Sequence, residues 1–245
     1  MLKKRIHCIV QARLTSSRLP GKIFLTGCRK SLIEHIIERL KYSKKLSKVI
    51  IATSKTTKHN FFKNFFKNKK IDIFYGNEFN VLSRYFKCAK KFKSDIIVRV
   101  TSDCPLIDYR IIDKMLEYFE KNKCDYLSNA HPRYYPVGLD VEIFTFDAIK
   151  NSFYNAKSFF DKEHVTPYIW SNPKKFNVKN FRPKTIKKPL YKKFRLTLDY
   201  LEDYILIGTI FNMLYVKDKK FSFSKIHSFL KKNPKISRIN KKINK

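Results

Sequence analysis

Six short apolar runs punctuate the chain, at 6–10 (IHCIV), 49–52 (VIIA), 71–75 (IDIFY), 96–100 (IIVRV), 137–144 (VGLDVEIF) and 194–198 (FRLTL). Their length and β-branched, aromatic content predict buried strands. Helical spacing separates the first four. Leu32, Ile33, Ile36, Ile37 and Leu40 share one helical face, and Ser31 with Glu34 has the spacing of a capping box. Phe61, Phe62, Phe65 and Phe66 mark a second helix, and Val81, Leu82, Tyr85, Phe86 and Ala89 a third. Ile111, Ile112, Met115, Leu116 and Phe119 mark a fourth, with Asp108 placed as its N-cap. Strands alternating with helices of this length predict an α/β fold with a mostly parallel sheet and right-handed crossovers.

The rhythm changes after about residue 125. Pro132 and Pro136 flank an aromatic loop, a longer strand follows, and DYLEDYILIGTIFNMLY gives a late helix before a basic tail. The expectation is one domain over 1–245: a first half to about 124, a lid or insertion over about 125–200, then C-terminal helices and tail.

Composition narrows the class. The 245 residues are 43% hydrophobic, enough for a substantial core, and no apolar run approaches the roughly 20 residues of a membrane span. The start, MLKKRIHCIVQAR, mimics a signal peptide, but its apolar part is short and ends at Gln11 and Arg13. The five cysteines are scattered without CxxC or metal spacing, which predicts reduced thiols and a cytoplasmic location. The formal charge is +34, from 54 Lys and Arg against 20 Asp and Glu. Such charge suits a nucleic-acid binder. Yet lysine spreads along the whole chain with Asn, Ile and Phe, and no Arg-aromatic cluster precedes the tail. A biased composition accounts for this as well, which argues against nucleic acid as the partner.

The chemistry concentrates where strands end. After the first strand comes ARLTSSRLPGK, residues 12–22, with three cations, three hydroxyls, one glycine and no acid. A loop at the carboxyl end of a strand in an open α/β sheet can aim N–H groups and cations at phosphates. Gly21 would permit close backbone approach, and Arg13, Arg18 and Lys22 could neutralise the anion. It is not a Walker loop: Ser16 stands where the earlier glycine should, and Ile23 follows Lys22 where Ser or Thr is required. In DIIVRVTSDCPLID, alternation puts Arg99, Thr101 and Asp103 on one side of a strand and Val98 and Val100 on the other. Asp103 is then either a partner for Arg99 or a ligand for Mg2+ beside the phosphate loop. In FRLTLDYLED, Asp199 with Glu202 has N-cap and box-partner spacing, but an aspartate ending a second strand is also what a shared metal would need. Asp140 and Glu142 form an acidic stripe with Phe144 on a strand expected to be half exposed, and His164 stands alone.

Taken with NVLSRYFKCAK, YYPVGLDVEIF and KEHVTPYIW, these segments resemble the cytidylyltransferases that activate acidic sugars. The similarity is greatest to the branch named for spore coat polysaccharide biosynthesis protein F, related to acylneuraminate and 3-deoxy-manno-octulosonate cytidylyltransferases. It reaches from about residue 5 to the C-terminus. It implies a Rossmann-like nucleotidyltransferase fold, a homodimer, and transfer of CMP from CTP to a sugar or sugar acid with release of pyrophosphate. It implies nucleotide binding by Ala12, Arg13, Ser17, Gly21, Lys22, Thr53, Ser54, Arg84 and Ser102. Arg13, Lys22, Asp103 and Asp199 would be catalytic, the two aspartates holding Mg2+. Arg133, Tyr135, Asp140, Glu142, His164 and Arg195 would face the sugar. Ser102 departs from the family's glycine, and Asn80 and Ser83 from its aspartates. Another nucleoside triphosphate with a sugar phosphate, or plain RNA binding through the surplus charge, are the alternatives.

Overall fold

The computed structural model describes residues 4–13, 16–55, 59–184 and 186–243. Residues 1–3 of the signal-like start, residues 14 and 15 of the loop after the first strand, and the last two residues of the basic tail lie outside them.

In chain order the elements begin with strand β1 (Ile6–Gln11), a 3-10 turn (Lys22–Phe24), the small hairpin β2 (Thr26–Gly27) and β3 (Lys30–Ser31), and helix α1 (Leu32–Lys41). Next come β4 (Lys48–Ser54), α2 (His59–Phe66), β5 (Asp72–Gly76), α3 (Val81–Lys91), β6 (Ile96–Thr101) and α4 (Tyr109–Lys121). Then follow β7 (Tyr126–Ser128), β8 (Glu142–Thr145), α5 (Phe146–Asn155), α6 (Phe159–His164), α7 (Pro167–Trp170) and β9 (Val178–Asn180). The chain closes with α8 (Leu201–Leu214), α9 (Phe223–Lys232), α10 (Pro234–Ser237) and a 3-10 turn (Lys241–Ile243).

The main sheet runs β5-β4-β1-β6-β8-β7-β9. β5, β4, β1 and β6 are parallel, and β8 is antiparallel to both β6 and β7. Strand alternation divides the core in two. Cys8, Val10, Ile51, Val98 and Val100 pack with α1, α4, α8 and α9. Ile9, Ile50, Ala52 and Ile97 pack with α3, α5 and α7. Both faces are thus covered, as a parallel sheet requires. The order reverses at β1: the chain builds outward to β4 and β5, then returns to place β6 on β1's other side. The loops leaving β1 and β6 therefore diverge and open a crevice at their carboxyl ends. Among the described residues, no helix is long and apolar enough to cross a membrane.

The caps follow the sequence. Ser31 and Glu34 form the box that starts α1, and Asp108 accepts from Arg110 N at 3.0 Å to start α4. Asn80 accepts from Ser83 N at 2.8 Å, so this departure from the family pattern caps α3.

The region from 125 onward builds onto the main sheet through β7, β8 and β9. Three expectations change. Of the strand expected at 137–144, only the last part is strand, because Gly138 adopts φ +101° and turns the chain. Of the strand expected at 194–198, an isolated bridge between Arg195 and Val137 forms. The acidic stripe is exposed only in part: Phe144 is buried within the sheet, while Asp140 and Glu142 stay partly exposed.

Gly138 also marks a close crossing. A Cβ there would lie 2.3 Å from the carbonyl carbon of Leu196. Gly138→Ala combines left-handed strain with overpacking and is expected to cost about 3 kcal/mol. A melting temperature lowered by roughly 10 °C checks this, and one within about 2 °C of wild type refutes it.

Candidate functional site

The loop after β1 and the segment before α8, more than 170 residues apart in sequence, meet at the crevice. Gly21 takes φ +66°, which turns the chain after Leu19 and Pro20. The 3-10 turn that follows buries Ile23, so the residue that rules out a Walker motif anchors the loop to the core. Lys22 Nζ donates to the Leu198 carbonyl at 2.6 Å and to Asp199 Oδ1 at 2.9 Å. Arg18 donates to that same carboxylate oxygen at 2.9 Å, and Arg195 donates to Asp199 Oδ2 at 2.8 Å. Burial pushes the Asp199 carboxyl up, but Lys22, Arg18 and Arg195 outweigh it and hold the carboxyl below its ordinary range.

Asp199 is not the N-cap of α8. That helix starts one residue later, and its box acid is Asp203, not Glu202. Asp203 is fully buried and accepts from the backbone N–H of Asp199 at 3.0 Å and of Tyr200 at 3.1 Å. It also accepts from Arg195 Nε at 3.1 Å and from Asn240 of the tail at 2.7 Å. Two acids, Glu202 and Asp203, sit side by side, and the helix uses the second, one position beyond the expected spacing. The consequence is that Asp199 has a carboxylate turned to the cations of the crevice rather than to its own helix.

Asp103 follows β6. Its carbonyl accepts from Leu198 N at 2.8 Å and from Thr197 Oγ1 at 3.1 Å, which ties the two aspartate-bearing segments together. Its carboxylate accepts from Thr101 and, among the described residues, joins no ion pair. Arg99 takes Glu142 instead, its register partner across β6 and β8.

Several of the residues expected to bind nucleotide are buried. Ala12 and Ser102 are buried, and their N–H groups are already given to Ala52 O at 3.1 Å and Gln11 O at 2.9 Å. These two backbone donors are therefore not left for a phosphate. Ser102 needs no glycine, as it is not among the positive-φ residues. Thr53 and Ser54 end β4 and are buried, while Arg13 and Ser17 are exposed. Arg84 is only 1% exposed, lies over Gly76, donates to Asn77 O at 3.1 Å, and leaves Nε without a partner among the described residues. Burial lowers its pKa, and nearby Arg13 adds to that. A buried guanidinium so poorly satisfied suits a ligand acceptor.

Beside the crevice lies a cavity of about 450 Å³. Arg133, Asp140, Glu142 and His164 line it, and Arg99, Thr101, His131, Phe160, Thr166 and Trp170 complete much of its wall. Two residues expected to face the sugar are elsewhere. Tyr135 is buried edge-on against Phe223, 5.6 Å between ring centres, and lines a different cavity. Arg195 belongs to the Asp199–Asp203 network. Both were expected there from the resemblance, but Tyr135 sits in a bend and Arg195 in an isolated bridge. Glu142 lines the wall, but its oxygens are engaged: beyond Arg99 it accepts from Tyr126 at 2.5 Å and Thr166 at 2.6 Å.

Thr166 was not singled out from sequence, and the reason is local. Val165 has φ +76° and ψ −50°, and Thr166 N donates to His164 O at 2.9 Å. This is a γ-turn, rare and strained for a β-branched residue. It lets His164 and Thr166 line the same cavity. Backbone strain of this kind gathers at functional sites, and it leaves no mark in periodicity.

The donor set can be tested against Mg2+. Asp103 and Asp199 offer hard carboxylate oxygens, and Mg2+ commonly takes one or two carboxylates, with phosphate oxygens and water for the rest. Among the described residues, no group of three or more His, Cys, Asp or Glu side chains gathers as a self-sufficient metal cage. The residues fit a metal that arrives with a phosphorylated ligand.

Known proteins resemble this chain over nearly its whole length. The cytidylyltransferase family model matches residues 7–243. An uncharacterized protein of Methanocaldococcus jannaschii is 37% identical over 98% of this chain and 96% of its own length. The spore coat polysaccharide biosynthesis protein SpsF of Bacillus subtilis is 29% identical over 92% of this chain and 94% of its own length. A cytidylyltransferase structure from Leptospira borgpetersenii superposes with a TM-score of 0.87 at 32% identity, covering 96% of this chain and 97% of that one. With its mixed, mostly parallel sheet in the nucleotidyltransferase arrangement, the chain belongs to the cytidylyltransferase family.

Proposed function

We propose that the protein transfers CMP from CTP to a sugar or sugar acid and releases pyrophosphate. The observation that carries this is the convergence of Lys22, Arg18 and Asp199 at the crevice, next to a polar cavity of sugar size. An acceptor oxygen attacks the α-phosphorus, the bond to the bridging oxygen breaks, and pyrophosphate leaves with that oxygen. The acceptor's proton passes to solvent.

The chain's contribution is positioning and charge. Lys22 and Arg18, held by Asp199 without ligand, exchange part of that pairing for the phosphates. Arg13 lies near Arg84 and adds to the positive field. Asp103 and Asp199 would hold Mg2+, which would neutralise phosphate charge and favour the attacking oxyanion. A glycan-building role is supported by the name of the Bacillus subtilis relative.

Lys22→Ala is expected to raise the CTP dissociation constant at least about tenfold, the loss of one charge-assisted contact. Calorimetry with CTP and Mg2+ measures it, and unchanged affinity would remove the loop from the phosphate site. The function itself is tested by pyrophosphate release from CTP with a panel of sugar phosphates and sugar acids. No release with any acceptor, together with no CTP binding, refutes it.

A further inference from the structure

From Pro234 onward the chain is rich in exposed lysine and arginine, and among the described residues of that stretch only Asn240 is buried, at 2% exposed. Its Nδ2 donates to Asp203 Oδ1 at 2.7 Å and to the Arg195 carbonyl at 3.0 Å. Both N–H donors of the amide thus enter the network that holds Asp199. The tail has apolar anchors of its own, since Ile236 and Ile239 pack against the core. Their burial docks the segment without direction, and the amide supplies the direction.

Asp199 and Asp203 share one arginine. Arg195 Nη2 donates to Asp199 Oδ2 at 2.8 Å and to Asp203 Oδ2 at 3.2 Å, and its Nε donates to Asp203 Oδ1 at 3.1 Å. Asp203 is fully buried, so both of its oxygens need donors. The N–H groups of Asp199 and Tyr200 serve Oδ2. Among the described residues, Oδ1 has Arg195 and Asn240. Without the amide, that oxygen has the guanidinium alone. Arg195 would then turn its fork fully to Asp203, and Asp199 Oδ2 would lose its anchor. A lysine in place of Asn240 would neutralise Asp203 and loosen its hold on Arg195. A neutral donor leaves the charges of the network unchanged and fixes where the guanidinium points.

We propose that Asn240 is a positioning residue for the crevice: through Asp203 and Arg195 it fixes the Asp199 carboxylate, and with it Lys22 and Arg18, so that the C-terminal tail sets the geometry at the phosphates. This rests on the transfer reaction proposed above and adds to it a residue far from the loop after β1.

The test is a double-variant cycle of Asn240→Ala with Asp199→Asn. It is read by calorimetric titration of CTP with Mg2+, and by pyrophosphate release with the acceptor that the wild-type protein uses fastest. Melting curves fix a temperature at which every variant is folded. In the wild-type background, Asn240→Ala is expected to raise the CTP dissociation constant about fivefold and to lower turnover at saturating CTP about tenfold, the scale of a small misplacement of groups that orient reactants. In the Asp199→Asn background the same change is expected to alter either quantity by less than about twofold, because residues acting as a unit are not additive. A merely structural amide would lower the melting temperature in both backgrounds and leave binding and turnover of the folded protein unchanged, which overturns the proposal. Losses that simply multiply in the double variant overturn it too. Asn240→Ser, which keeps a hydroxyl donor on a smaller side chain, takes the place of Asn240→Ala if that variant does not fold. If neither folds, the amide is structural and the proposal falls. CTP binding by the wild-type protein separates the two levels. If it binds CTP and Asn240→Ala matches it in affinity and turnover, this inference fails and the transfer reaction stands. If the wild-type protein does not bind CTP, the transfer reaction fails and this inference falls with it.

Discussion

Asp199→Asn is expected to lower Mg2+-dependent pyrophosphate release by about a hundredfold or more, because one carboxylate both positions two cations and would serve a hard metal. The amide keeps the shape of the side chain but loses the charge that gathers Lys22, Arg18 and Arg195. Stability is expected to fall less. Arg195 keeps Asp203, Lys22 keeps the Leu198 carbonyl, and Arg18 is half exposed. A loss of about 1–2 kcal/mol is the expected scale for such a partly satisfied network. Turnover and melting temperature measured together separate the effects. Asp103→Asn should resemble it in turnover, and the double variant should lose little beyond the worse single, since groups acting as a unit are not additive. A folded Asp199→Asn protein with near-normal turnover would leave the crevice without its central carboxylate role.

Glu142→Gln is expected to act on stability first. It leaves Arg99 buried without a counter-charge, and breaking a buried ion pair by removing one partner costs about 3–5 kcal/mol. A melting temperature lowered by roughly 10–15 °C is the corresponding change. Burial pushes the Glu142 carboxyl up, but Arg99, Thr166 and Tyr126 outweigh it and hold it below the ordinary value of 4.5. A carboxyl with a depressed folded-state pKa contributes stability above its unfolded pKa and loses it as pH falls through the folded one. The gap between wild type and variant should therefore be full at neutral pH and close below about pH 4. A gap that is absent at neutral pH, or that widens in acid, would show that the pair contributes nothing.

Much of this was legible in the chain alone, and for physical reasons. A parallel strand buried on both faces must be apolar, so β1, β4 and β6 could be read directly, and the amphipathic period gave α1, α3 and α4, with caps read for α1 and α4. The cationic loop after β1 and the candidate aspartates Asp103 and Asp199 could also be picked out from residue type, though the strand expected before Asp199 forms only an isolated bridge. Strand alternation likewise put Arg99 and Thr101 on the face opposite Val98 and Val100.

Only tertiary structure decided which charges pair. Arg99 could have met Asp103, four residues on, but the antiparallel insertion of β8 brings Glu142 beside it. Asp199 could have capped its helix, but a one-residue shift made Tyr200 the N-cap with Asp203 as the box acid, and Asp199 pairs with Lys22. The cavity wall depends on the same kind of decision. Its γ-turn at Val165, its aromatic rim and its ion-paired arginines come from segments joined by turns, where neither period 2 nor period 3.6 applies. Pairing between distant charges depends on strand order and register, and local spacing carries no information about either.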